Sequence, residues 1–229
     1  MEYPHNRPYT ADDLVRIITL LRDRVNGCPW DKVQTHTSIR MNFLEEAYEA
    51  VDALDLDDPV LMCEELGDVL MQVAFHTCME QETGRFTWEQ VCDGVCQKLI
   101  ERHPNIFGTQ PGYEGITDWD ALKNKEKGRR TLADDLESVP RAMPALMRAA
   151  KLQKRAARHG AALQGADAAA LADAAENLQT AQPASAQAEQ AVGKLLFAAA
   201  NLARQAGVDP EQALQKANEA FCTAAGPVA

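Results

Sequence analysis

The sequence predicts an all-α protein with no significant β-sheet. Three observations carry that expectation. Apolar residues recur at the three- and four-residue spacing of a helix face along nearly all of the 229 residues. The periodic segments open on capping signals and close on Gly or Pro. No segment shows the strict alternation of a half-buried strand.

The first predicted helix covers Thr10–Arg24, with Leu14, Ile17, Ile18 and Leu21 on one face. A polar connection, NGCPWDKVQTHTS (Asn26–Ser38), follows. A second helix is predicted from about Ile39 to Leu56. Asp58 and Pro59 supply an N-cap and a first helical residue for a third, which runs to about Glu82 and ends at Gly84. Thr87 and Gln90 form the capping box of a fourth, which reaches Arg102 or His103 and stops at Pro104. PNIFGTQPGYEG reads as a loop and Asp118–Arg130 as a further helix. PRAMPALMRAAKLQKRAARHG predicts another helix, with Arg148, Lys151, Lys154, Arg155 and Arg158 as a basic face. From Ala161 to Ala229 alanine dominates, and Phe197 and Phe221 are the only Phe, Tyr or Trp residues. This stretch has high helix propensity but little bulk for a core, so it is expected to lean on the first half or on another subunit.

Apolar residues at 46% and charged residues at 25% place the chain among ordinary globular proteins. A net charge of −11 argues against a general nucleic-acid binder, which needs a basic footprint. It leaves room for a small phosphate substrate held by local cations. No apolar run approaches the roughly 20 residues of a membrane span. The start, MEYPHNRPYT, has no apolar signal-peptide core, and the six cysteines include no CxxC pair. Both features predict a cytoplasmic protein with reduced thiols. Cys92 and Cys96 lie one helical turn apart, but with no second ligand pair near they read as apolar fillers.

The informative acids lie on the second and third predicted helices. In IRMNFLEEAYEAVDAL, Ile39, Phe43, Ala47, Ala50, Val51 and Leu54 form an apolar arc. Glu45 and Asp52 lie opposite it, facing water. Glu46 and Glu49 border the arc and share one side. On the third helix Leu66, Val69, Leu70, Met71, Val73, Ala74 and Phe75 wrap most of the circumference, which predicts a central helix. Glu65 and Asp68 nevertheless fall within one turn on it, and Arg40 is the only Lys or Arg between Lys32 and Arg85. Converging unpaired carboxylates are costly to bury and repel one another. A divalent cation resolves this, and an all-carboxylate set suits Mg²⁺ or Mn²⁺ better than Zn²⁺. A di-iron bundle wants Glu-x-x-His, whereas the third-residue partners here are Glu49 and Asp68. A single ExxE is usually no more than solvated helix charge; the second pair, on an otherwise apolar helix, weighs against that.

EELGDVLMQVAF (Glu64–Phe75) is nearly repeated as QAVGKLLFAAAN (Gln190–Asn201). Gly67 matches Gly193 and Leu70 matches Leu196, which read as shared packing positions. Glu65 becomes Ala191, and Asp68 becomes Lys194, which repels a cation. Around Glu176 to Gln179 at most one acid of the other pair survives.

GCPWDKVQTHTS, FLEEAYEAVDAL, EELGDVLMQVAFH, KLIERHPNIFG and VPRAMPALMRAAKLQKRA together resemble the MazG family, from about Asp12 to Arg158 and more weakly to Phe221. The resemblance implies an all-α nucleoside triphosphate pyrophosphohydrolase built from helical-bundle repeats, Mg²⁺-dependent with Mn²⁺ as a substitute, and often dimeric. It implies metal ligation and catalysis by Glu46, Glu49, Glu65 and Asp68. It divides the chain into a first repeat at 10–108 with the metal motif, a helix-containing linker at 109–139, and a degenerate repeat at 140–225. Lys98 and Arg102, one turn apart, are candidates to hold phosphates; the competing role is to complement the helix dipole. Their counterparts in the second repeat are Ala220 and Ala224. His103 before Pro104 reads equally as a helix stop. Trp30 is placed either against a base or, in preference, as an anchor of its loop; Asp31 caps or turns that loop. The expected partners are nucleoside triphosphates and a second copy of the chain, with no nucleic acid and no membrane. The alternatives are a non-catalytic nucleotide-binding or regulatory protein of this fold, and a plain helical scaffold.

Overall fold

The computed structural model describes residues 2–5, 7–104, 106–108 and 126–226. It separates into two units, Met1–Ile116 and Thr117–Ala229. The described residues hold helices and turns and no strand, so the protein is all-α. None of their helices is long and apolar enough to cross a membrane.

The first unit contains α1 (Ala11–Leu21), a 3-10 turn (Asp31–Val33), α2 (Arg40–Asp55), α3 (Pro59–Thr83) and α4 (Trp88–Arg102). Local chemistry sets these limits. Thr10 opens α1 in a capping box with Asp13, and Thr87 opens α4 with Gln90. Asp58 accepts from the N–H groups of Val60 and Leu61 ahead of Pro59, and Gly84 closes α3 at φ 71°. The first helix ends three residues before the predicted Arg24. Asp23 Oδ1 takes the N–H groups of Val25 and Asn26 at 3.0 and 2.7 Å. The chain then turns so tightly that a Cβ on Gly27 would sit 2.4 Å from the carbonyl oxygens of Asp23 and Leu21.

α3 packs against α1, α2 and α4. The core joins Ile18, Ile39, Ala74, Phe75, Cys78, Met79 and Trp88. α3 is therefore central only in its C-terminal half, where Gln72, Ala74, Phe75 and Thr77–Glu80 are buried. In its N-terminal half Val60, Leu66 and Leu70 are exposed. The predicted arc of α2 also shifts: Ala50 and Ala53 are buried, whereas Val51 and Leu54 are about half exposed. The small alanines let α3 approach that side. Arg22, missed in the sequence, fixes the long connection. Its buried guanidinium pairs with Glu82 at 2.5 Å, donates to the carbonyls of Asp31 and Gln34, and lies over the Phe75 ring.

The second unit contains α5 (Leu132–Glu137), α6 (Ala145–Arg158), α7 (Ala168–Thr180), α8 (Ala186–Gln205) and α9 (Pro210–Ala225). The helix predicted at Asp118–Arg130 falls outside the described residues over 118–125, and Lys127–Arg130 are not helical. α5 was too short to show periodicity. α8 packs against α6, α7 and α9, as α3 packs against α1, α2 and α4. Its core substitutes closeness for bulk: Ala156, Ala166, Ala174, Ala191, Ala198 and Ala200 are buried. Polar ties fix the contacts. Fully buried Gln153 donates to the Phe197 carbonyl at 2.7 Å, and Asn201 donates to that of Ala166.

Two sequence expectations fail here. The basic residues of α6 do not form one solvated face. Arg155 is buried and pairs with Asp135, itself 1% exposed, which also takes Arg158 and His159. Nor are the shared residues of the near-repeat packing positions within their units. A Cβ at Gly67 or Gly193 would meet open space, and Leu70 and Leu196 are 41% and 44% exposed.

Because Asp135 neutralises buried Arg155, Asp135→Ala is expected to cost roughly 3–5 kcal/mol of stability in urea unfolding. Adding Arg155→Met should recover much of it. A loss under about 1 kcal/mol would show that the pair is not a tie.

Candidate functional site

α2 and α3 form a helical hairpin joined by Leu56, Asp57 and Asp58, with Asp57 at φ 53°. The tight return puts the mid-region of α2 beside the N-terminal half of α3. There Glu46, Glu49 and Glu65 converge, each offering a carboxylate oxygen within 4.8 Å of the others. Glu46 and Glu65 are half-buried and Glu49 is exposed. Among the described residues this is the one group of three or more acid, His or Cys side chains close enough to hold a metal ion, and Cys92 and Cys96 belong to no such group. No ion pair to Lys or Arg neutralises it there. Asp68 stands outside the 4.8 Å group, but its charge reaches both Glu46 and Glu65. Glu45 and Asp52 are exposed, as the helical wheel predicts.

The electrostatics are those of crowded acids. Burial is the largest influence lifting Glu46 above the usual carboxylate range; the Gln72 hydrogen bond opposes it, and Asp68 and Glu49 add to it. Glu65 is raised first by burial and then by Glu64, Asp68 and Glu46. A cation would relieve both. Hard carboxylate oxygens on two rigid helices fit a divalent ion of the Mg²⁺ or Mn²⁺ kind.

A polar ridge continues along α3 at four-residue intervals: Asp68, Gln72, His76 and Glu80. Gln72 is buried, and its Nε2 donates to Glu46 Oε1 at 3.3 Å. His36 Nε2 lies 2.5 Å from Glu80 Oε1, and the Nδ1 atoms of His36 and His76 are 2.8 Å apart. A carboxylate only accepts, so His36 donates to Glu80 through Nε2, and the protonation of the two rings decides which donates between the Nδ1 atoms. Burial, then His36, hold His76 below the ordinary imidazole pKa. Arg85 completes the network at 2.6 Å from Glu80. These residues were missed in the sequence. The available signal was Gln72 and His76 interrupting an apolar run at helical spacing.

The remaining predicted residues lie on the connection after α1 and on or just after α4. Trp30 does not anchor its loop by burial: it is 57% exposed, and Arg22 holds the loop instead. Asp31 opens the 3-10 turn. Lys98 is exposed on α4 and, among the described residues, pairs with none of the four acids. Arg102 is half-buried in the last turn, and His103 is the C-cap, its Nδ1 2.7 Å from the Leu99 carbonyl. In the second unit Ala191 is buried and Lys194 is exposed.

Residues 34–107, which hold all four acids, match the MazG nucleotide pyrophosphohydrolase domain. The chain is 41% identical over 219 residues to the nucleoside triphosphate pyrophosphohydrolase of Escherichia coli, covering 92% of this chain and 83% of that one. It is 38% identical over 212 residues to the nucleoside triphosphate pyrophosphohydrolase/pyrophosphatase MazG of Thermotoga maritima, covering 92% and 82%. The nucleoside triphosphate pyrophosphohydrolase of Mycobacterium tuberculosis is 34% identical over 154 residues, covering 66% of this chain and 46% of that one. Similarity that spans the carboxylate hairpin and extends over nearly the whole chain establishes that this protein belongs to the MazG nucleotide pyrophosphohydrolase family.

Proposed function

We propose that the protein hydrolyses nucleoside triphosphates to a nucleoside monophosphate and pyrophosphate, with its site in the first unit. The carrying observation is the meeting of Glu46, Glu49 and Glu65 within 4.8 Å, with no ion pair from them to Lys or Arg among the described residues. The names of the long-range relatives support the substrate class. These three residues, with Asp68, would hold Mg²⁺, and Mn²⁺ would substitute. A bound divalent ion neutralises triphosphate charge and lowers the pKa of an attacking water. The chain's own part is positioning. α2 and α3 fix the carboxylates as a unit, and the half-exposure of the cluster leaves it open to a charged substrate. Lys98 and Arg102 would take phosphate oxygens, and the exposed Trp30 ring would stack on a base.

The second unit is proposed to be a degenerate repeat. Its central helix α8 is packed as α3 is, but carries Ala191 and Lys194 in place of two ligands. The exposed Val51, Leu54, Leu66 and Leu70 of the first unit support a homodimer, and the free cysteines support a cytoplasmic location. Sedimentation is expected to give twice the 25.1 kDa chain mass.

With Mg²⁺ and a panel of NTPs and dNTPs, pyrophosphate release is expected, and chelator should stop it. Glu49→Gln should lower release by at least about 100-fold, whereas Lys194→Asp should leave it near the parent rate. Nucleotide binding without release from any substrate would identify a regulatory protein instead. Full activity in Glu49→Gln would mean that other carboxylates carry the reaction.

Metal should also stabilise the fold. Without it, the raised Glu46 and Glu65 cost stability as pH rises through their folded pKa values. Mg²⁺ at one hundred times its Kd should add about 2.7 kcal/mol near neutral pH. That gain, read as a Tm shift, should shrink as pH falls into the carboxylate range, where protons compete for the same oxygens.

A further inference from the structure

Gln72 is 7% exposed and sits one helical turn beyond Asp68 on α3. Its amide orientation follows from charge. Glu46 offers only acceptors when ionised, so Nε2 faces it and Oε1 faces away. That Oε1 is buried with no hydrogen-bond partner. A buried amide oxygen without a donor is a net cost, and an apolar side chain of the same length would remove it. The residue is therefore poorly explained as packing. What it does provide is the 3.3 Å bond from its Nε2 to Glu46 Oε1, which ties α3 to the acid on α2. Glu46 is also crowded by its own kind, with both Asp68 and Glu49 acting on it.

We propose that Gln72 is a positioning residue that holds the Glu46 carboxylate in its ion-binding orientation. This rests on the assignment of the carboxylate cluster as the cation site. Gln72 touches neither the ion nor the substrate; it acts through Glu46, as outer-shell partners of metal ligands do.

The test is Mn²⁺ binding by the full-length protein, measured by calorimetry without nucleotide, alongside thermal melting. Gln72→Met is expected to keep or raise the Tm while weakening Mn²⁺ binding about 10- to 100-fold. Gln72→Leu serves if the Met variant does not fold. In the double variant with Glu46→Gln, the loss should be no larger than in Glu46→Gln alone, because both changes act through one ligand. Parent-like Mn²⁺ affinity in Gln72→Met, with affinity lost in Glu49→Gln, overturns the role of Gln72 and leaves the site standing. Unchanged affinity in Glu49→Gln as well places the ion elsewhere and overturns both. Additive losses in the double variant also overturn the proposal, since Gln72 would then act by another route.

Discussion

Mutual repulsion among carboxylates is the constraint around which the first unit is arranged. Glu46, Glu49 and Glu65 are held within 4.8 Å, with the charge of Asp68 close by. Left alone, such groups would splay or take up protons. Here they are carried by two helices with a three-residue connection, so neither helix can retreat without breaking the hairpin. The hairpin is held in turn by a core in the C-terminal half of α3 and by the Arg22 clasp on the preceding connection. Stability is thus concentrated at one end of α3 and charge at the other. That division lets a marginally stable bundle tolerate an electrostatic liability where chemistry needs it.

In the second unit, too, several helices pack on a central one, without an acid cluster among the described residues. Buried alanines bring the helices close, and polar ties through Gln153, Asn201 and the Asp135–Arg155 pair set their register. Buried ion pairs give little net stability but punish wrong arrangements. In a core with few large side chains, that specificity matters.

Much of this was legible in the sequence because capping chemistry is local. Asp58, Thr87 and Gly84 mark helix ends through bonds spanning two to four residues, and all three do so in the structure. The convergence of Glu46 with Glu65 was legible from helical spacing plus a short connection. Burial was less so. Periodicity says which residues share a face, not whether anything covers it, so Val51, Leu54 and Leu70 were assigned to an interior yet lie open. Arg22, Gln72 and the pairing of His36, His76 and Glu80 were missed for a different reason. Each depends on partners 26 to 60 residues away, or on a loop whose path no local rule gives.

The central claim is that Glu46, Glu49 and Glu65 are the oxygen ligands of a divalent cation. An anomalous difference map from crystals grown with Mn²⁺ tests it most directly. The expected result is a peak in the first unit within coordination distance of these three carboxylates, with Asp68 completing or adjoining the set. A fully occupied Mn²⁺ bound elsewhere, with the four acids solvated and apart, would contradict it.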